Sequence, residues 1–237
     1  MAEDRIITQG TLTAEQAEEN QRTFMLKVFG WMATGLLLTG IAGLVTISSQ
    51  AILELVFSNQ IVYFGLIIAQ IGLVVWLSAR IEKMSAMTAT LVFVGYSALT
   101  GLTLSVVFLA YTLASLASTF FVTAGTFGAM YLYGTVTKRD LTSMGSFMAM
   151  GLIGVIIASV VNMFLNNSTI YWITTYIGII IFVGLTAYDA QKIKQMSVLA
   201  TQGEEIEQKG AIMGALRLYL DFINLFLLLL RVMGKRR

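Results

Sequence analysis

Seven apolar runs constrain this chain more than any other feature: Phe24 to Ile47, Ile61 to Ala79, Ala86 to Ala110, Thr112 to Gly134, Thr142 to Leu165, Ile170 to Tyr188 and Ala211 to Leu230. Each is near the roughly 20 residues that a helix rising about 1.5 Å per residue needs to cross a hydrocarbon layer about 30 Å thick. The composition agrees: 57% of the 237 residues are hydrophobic and 12% charged, with a mean hydropathy of +0.81, too apolar for a water-soluble domain of this size. The expectation is an all-α integral membrane protein, a seven-helix bundle over residues 23–237 behind a soluble polar tail over residues 1–22. Short links join the first six runs in pairs, which reads as three helical hairpins around a central seventh helix.

The tail, MAEDRIITQGTLTAEQAEENQ, is mostly acidic and lacks the apolar core of a cleavable signal. Thr13 and Gln16 have the spacing of a capping box, but the stretch reads as a solvated terminus. Lys and Arg set the orientation. Arg5, Arg22, Lys27, Arg80, Lys83, Lys138, Arg139, Lys192, Lys194 and Lys209 fall in the tail and the even-numbered links, and the first, third and fifth links carry none. The positive-inside rule then puts the N-terminus in the cytoplasm. Arg231, Lys235, Arg236 and Arg237 run against that rule if the last segment spans, so two arrangements stay open, a full span or a segment that dips in and returns. The full span is the preferred reading.

Three residue types are missing altogether. Without Cys there is no disulfide, thiolate nucleophile or thiolate metal site, and without His there is neither a Ser-His dyad nor a His-ligated zinc. Proton sensing must fall to carboxylates. Without Pro, any sharp helix bend must come from Gly or Ser/Thr. Ser97, Gly101 and Ser105 share one helix face, and Gly145, Gly151 and Gly154 thin another helix; both patterns read as close helix packing.

Two apolar segments are interrupted by a carboxylate, Asp189 in IIIFVGLTAYDAQKIK and Asp221 in LYLDFINLFLLLLR. In the last segment Arg217, Asp221 and Asn224 recur at steps of four and three and so share a face. Ionisable groups at that depth cost several kcal/mol against lipid, so this face looks into protein or water and the helix is interior. If the two acids share a poorly solvated site, ionising one makes the other harder to ionise. With one proton shared they hydrogen-bond; with both ionised they repel each other and attract a hard cation, for which oxygen ligands suit calcium. Depth is a difficulty, because Asp189 ends its apolar run while Asp221 lies about 15 Å past Ala211. The two meet if the last helix starts late with Arg217 snorkelling, or if Asp189 sits deeper while Lys192 and Lys194 snorkel. A static reading also stands: Arg217 neutralising Asp221 and Arg80 or Lys192 capping Asp189, only to lock the bundle.

The runs FVGLTAYDAQKIK and LYLDFINLFLLLLR, with YSALTGLTLS and YGTVTKRDL upstream, resemble the Bax inhibitor-1 family, also called the transmembrane BAX inhibitor motif family. The likeness runs from about Phe24 onward and is greatest to bacterial inner-membrane YbhL- and YccA-like members. The resemblance implies six helices around the last, conduction of calcium as a pH-sensitive leak, and a pH-sensing aspartate pair, whose positions match Asp189 and Asp221. It also implies an arginine of the second helix latched onto the first aspartate, for which Arg80 is the candidate. Arg217 is a second counter-charge by spacing alone.

Two rival functions belong to other classes. YccA-like relatives are associated with a membrane-anchored ATP-dependent protease, which makes a non-transporting interaction protein the alternative. An enzyme is not expected, since GxSxG, HExxH and a phosphate loop are all missing. Lipid and calcium are the expected partners, with no resident cofactor and no nucleic acid.

Overall fold

The computed structural model describes residues 13–198 and 203–237, and among these the regular structure is helical throughout. In chain order the helices are α1 (Ala14–Ser48), α2 (Gln50–Phe57), α3 (Gln60–Arg80), α4 (Ala86–Ala110), α5 (Leu113–Val136), α6 (Thr142–Leu165), α7 (Ser168–Met196) and α8 (Glu204–Met233), with a 3-10 turn at Ile81–Lys83. All but α2 are long and apolar enough to span, seven helices in all among the described residues. The chain is an all-α integral membrane bundle.

The helices overrun their apolar stretches wherever capping chemistry extends them. Thr13 and Gln16 close the full reciprocal capping box, so residues 14–22, read from sequence as a solvated tail, continue α1 as a helix, with mostly exposed side chains over 15–22. Residues 1–12 of that tail lie outside the described residues. The first link holds α2, capped by Ser49 and buried at Val56; at eight residues it is too short for a spanning-length window to register. The α6–α7 turn is made by asparagines: Asn166 takes the left-handed conformation (φ 48°) that ends α6, and Asn167 caps α7 through Oδ1, which accepts from Thr169 and Ile170.

α8 lies at the centre, packed against α1, α4, α5 and α7. The six outer spans sort into two matching triplets. α4 packs on α1 and α3, and α7 packs on α5 and α6. Of the three hairpins expected from sequence, only α6 and α7 pack as one: α1 and α3, with α2 between them in the chain, both pack on α4, and α5 packs on α7 and α8 rather than on α4.

Small residues explain those choices. A Cβ on Gly101 would strike the carbonyl of Thr39, and one on Gly35 would meet Phe93 and Ser97, so α1 and α4 touch almost backbone to backbone. Gly134 packs the same way on the Ala187 carbonyl, joining α5 to α7, and Gly145 lies against the Tyr188 ring, joining α6 to α7. The two small-residue faces expected from sequence are therefore packing faces, save that Gly154 meets no neighbour. Across the α1–α4 contact runs a buried hydroxyl network. Thr39 Oγ1 shares a 2.6 Å hydrogen bond with the Tyr219 hydroxyl of α8 and donates to the Ser97 carbonyl at 2.9 Å. Gln70 of α3 joins through Thr100 and Thr103.

The last helix spans. α8 runs unbroken for 30 residues, about 45 Å. Its tail docks on the α4–α5 link, where Thr112 N–H donates to the Lys235 carbonyl (3.2 Å) and Arg237 N–H to that of Ala110 (3.0 Å). At the opposite end Lys27 pairs with Glu207 at 2.7 Å, and Lys209 donates to the Glu82 and Met84 carbonyls. The first turns of α8 and the C-terminus thus lie at opposite ends of the bundle.

Gly134→Ala should lower the melting temperature in detergent, by the about 1–3 kcal/mol that overpacking costs. Gly154→Ala should leave it unchanged or slightly raised, since it adds helix propensity in open space. Equal melting temperatures for the two variants would contradict the packing described.

Candidate functional site

The polar face read from α8 exists and is longer than the sequence reading made it. Arg217, Asp221, Asn224 and, one heptad on, Arg231 all line a cleft of about 1010 Å³ between α6, α7 and α8. Leu220, Leu227 and Leu228 fill the steps between them. The opposite wall carries Asp189, Leu185 and Phe182 of α7, with Val155, Ile156 and Val160 of α6. A second cavity of about 400 Å³, between α1, α4, α5 and α8, is walled by Phe108, Phe120, Phe222 and Phe226 and has no ionisable lining.

Asp189 and Asp221 are brought together at the end of the cleft nearer the N-terminus, each facing the other's carboxyl group. The depth difficulty resolves in favour of a deeper Asp189. α7 continues seven residues past it to Met196, so the carboxylate lies within a helix rather than at its end. Lys194, five residues beyond Asp189, reaches out to the Thr135 carbonyl at 2.8 Å, while Lys192 lies over the Tyr188 ring, 5.8 Å from its centroid. α8 likewise begins seven residues before Ala211, its polar first turns preceding the apolar stretch.

The pair is asymmetric. Asp221 is 4% exposed, and its Oδ2 has no hydrogen-bond partner in the protein. Asp189 takes the counter-charge: Arg217 Nη1 lies 3.5 Å from Asp189 Oδ1, with the arginine side chain 44% exposed and that of the aspartate 14%. Arg217 was paired by spacing with Asp221 on its own helix, yet it bridges to α7, because Asp221 points into the protein where the guanidinium would lose its water. Arg80, the candidate latch, ends α3 exposed to solvent and makes no ion pair among the described residues. The distance that matters is across α7 and α8, and no reading of the α3 sequence could supply it.

Chemically, a buried carboxyl oxygen without a donor beside a second carboxyl group is a place for one proton or one cation. A proton between the two acids supplies the missing hydrogen bond; a cation supplies charge to both. No third acidic group joins them among the described residues, so any bound ion would keep carbonyl or water ligands and be held weakly.

Arg231 is the residue that sequence reasoning passed over. Its Nη1 donates to Thr175 Oγ1 at 3.1 Å, and its guanidinium stacks over Tyr171, 4.6 Å from the ring centroid. Extending the Arg217–Asp221–Asn224 face by seven residues would have found it; counting it with the tail charges hid it.

A polytopic bundle whose central helix shares an acid pair with its neighbour at the end of a one-sided cleft defines a class of multi-pass membrane protein. The family model described as inhibitor of apoptosis-promoting Bax1 matches residues 21–237. The chain is 53% identical over 229 residues to the inner membrane protein YbhL of Escherichia coli strain K12, covering 94% of this chain and 95% of that one. It is 50% identical over 222 residues to the uncharacterized protein RP147 of Rickettsia prowazekii, covering 93% and 92%. An uncharacterized protein of Deinococcus radiodurans is 40% identical over 225 residues, covering 95% and 96%. The chain belongs to the Bax inhibitor-1 family.

A double-mutant cycle of Arg217→Gln and Asp189→Asn, read by thermal unfolding in detergent, should give a coupling of about 1 kcal/mol or less, since water screens the exposed guanidinium. Asp221→Asn should unfold at or above the parent temperature, because the amide removes a buried charge at constant volume. A lower temperature for Asp221→Asn would mean that the carboxyl group holds the bundle together.

Proposed function

We propose that this protein is a pH-sensitive cation leak, taking calcium, in the inner membrane, with its N-terminus cytoplasmic. The observation that carries the reading is Asp221 Oδ2, buried and without a donor, beside Asp189 at one end of a polar-ended cleft. The inner membrane follows from the name of the Escherichia coli relative. The orientation follows from ten Lys and Arg in the tail and links of one end against four at the C-terminal end.

The cleft approaches the pair from the C-terminal end, and Arg217 lies on the other side of it, toward the N-terminal end. Protonation sets the charge an arriving ion meets. With both acids ionised, Arg217 offsets one of them, and the remaining negative charge admits a cation. With one proton shared the group is neutral overall, and with two it is positive and repels calcium. Ion passage therefore rises with pH and falls with acid, and passage of the ion past Asp189 competes with the Arg217 ion pair, which acts as the latch.

Calcium influx into liposomes across a pH series tests this. The parent should conduct more at alkaline than at acid pH. Asp221→Asn and Asp189→Asn should each reduce flux at high pH by about tenfold or more, the loss of one ligand charge, and flatten the pH profile. Arg217→Gln should keep the pH dependence while raising flux. An unaltered acid response after both aspartates are neutralised would overturn the reading.

A further inference from the structure

The end of the cleft opposite the acid pair has a different chemistry, which the ion-leak reading does not use. Its cation is Arg231, whose guanidinium carries five N–H donors; one donor meets Thr175, and no carboxylate pairs with the group among the described residues. Beside it in the same lining stand Asn162, Asn166, Asn167 and Ser168. The Oδ1 of Asn162 is committed to the Asn167 N–H (2.9 Å), and that of Asn167 to the N–H groups of Thr169 and Ile170, so both side chains are left with amide donors to offer. The whole C-terminal end is rich in positive charge. Arg231, Lys235, Arg236 and Arg237 gather there, and Glu54 of α2 is the acidic side chain on that side among the described residues.

Between this end and Asp221 the cleft is mostly apolar, with Asn224, Ser159 and Thr174 the polar exceptions, and open at the side. Ile156, Val160 and Met163 of α6 line it yet are 54%, 50% and 65% exposed, because α6 packs on α7 and leaves the flank of α8 uncovered. Ten residues separate Asp221 from Arg231, a run of about 15 Å. A donor-rich cationic end, joined to a mostly apolar trough of that length that opens sideways, complements in shape and charge an amphiphile with an anionic head.

We propose that the cleft binds one anionic phospholipid, with the phosphate on Arg231 and the neighbouring asparagine amides, and one acyl chain lying between α6 and α8 toward Asp221. The guanidinium matches phosphate oxygens in geometry as well as charge, and Tyr171 beneath it fixes its plane. The lipid tail would share the cleft with anything approaching the acid pair, which makes lipid occupancy a control on that access. The binding itself does not depend on the ion-leak reading.

The test is native mass spectrometry of the full chain released from nanodiscs of phosphatidylglycerol and phosphatidylcholine, with the retained lipid titrated for each variant. The parent should retain one phosphatidylglycerol in preference to phosphatidylcholine. Arg231→Gln should weaken that retention by about tenfold, the scale of one charge-assisted hydrogen bond, and Arg231→Lys by less. Arg237→Gln, an exposed charge at the same end, should leave it unchanged. Ile156→Trp, which fills the trough without altering charge, should also weaken retention and keeps the test sound if Arg231→Gln unfolds in a melting control. Equal loss from Arg231→Gln and Arg237→Gln would reduce the effect to general surface charge and overturn the proposal. So would equal retention of phosphatidylcholine, retention unaffected by Ile156→Trp, or displacement of the lipid by soluble glycerol phosphate alone.

Discussion

The fold turns on the impossibility of leaving the polar face of α8 against lipid. Arg217, Asp221, Asn224 and Arg231 repeat down one side of a helix whose other faces are Leu, Ile, Phe and Tyr. Hydrocarbon penalises each of those groups by kcal/mol rather than tenths. The cheapest solution encloses α8, and α1, α4, α5 and α7 do so, leaving one flank as a cleft where the polar side chains gather.

Enclosure alone would not bring two carboxylates into one site. That requires α5 and α6 to hold α7 at a fixed depth and rotation, which the glycine contacts achieve. Gly134 brings the α5 backbone onto the carbonyl of Ala187, two residues before Asp189, and Gly145 seats α6 against Tyr188, the residue just before it. On the other side of α8 the Tyr219–Thr39 hydrogen bond fixes the rotation of the central helix two residues before Asp221. Without a hydrophobic force between helices in lipid, such close approaches and buried hydroxyl pairs are the available means of setting register. The acid pair is therefore positioned by contacts on the residues adjacent to it.

The cleft is divided along its length by chemistry. Near the N-terminal end two acids and Arg217 can exchange a proton, a cation and an ion pair among themselves. At the C-terminal end Arg231 rests on Tyr171 among asparagine amides, with no carboxylate paired to it among the described residues. Arginine occupies both ends, but water screens the first and an aromatic ring orients the second. Those surroundings, more than the residue type, separate an exposed guanidinium paired with a carboxylate from one held on an aromatic ring.

The spans, the membrane class and the interior character of α8 were legible in the chain, and Asp189 and Asp221 stood out in it as the carboxylates that interrupt apolar runs. Each follows from a local property: the length of an apolar run, or a carboxylate placed where lipid would forbid it. The capped start of α1 and the eight residues of α2 were less legible, because a hydropathy run registers neither a cap nor a helix shorter than a span. Which arginine meets Asp189 was not legible at all. Arg80 and Arg217 are equally charged in sequence, and only the packing of α7 on α8 puts Arg217 within 3.5 Å while leaving Arg80 at an exposed helix end. The last helix could also have spanned or turned back until the docking of residues 235–237 on the α4–α5 link settled it. Periodicity fixes which residues share a face, because a helix is a local object; which face meets which is a property of several helices at once, and only the tertiary structure decided it.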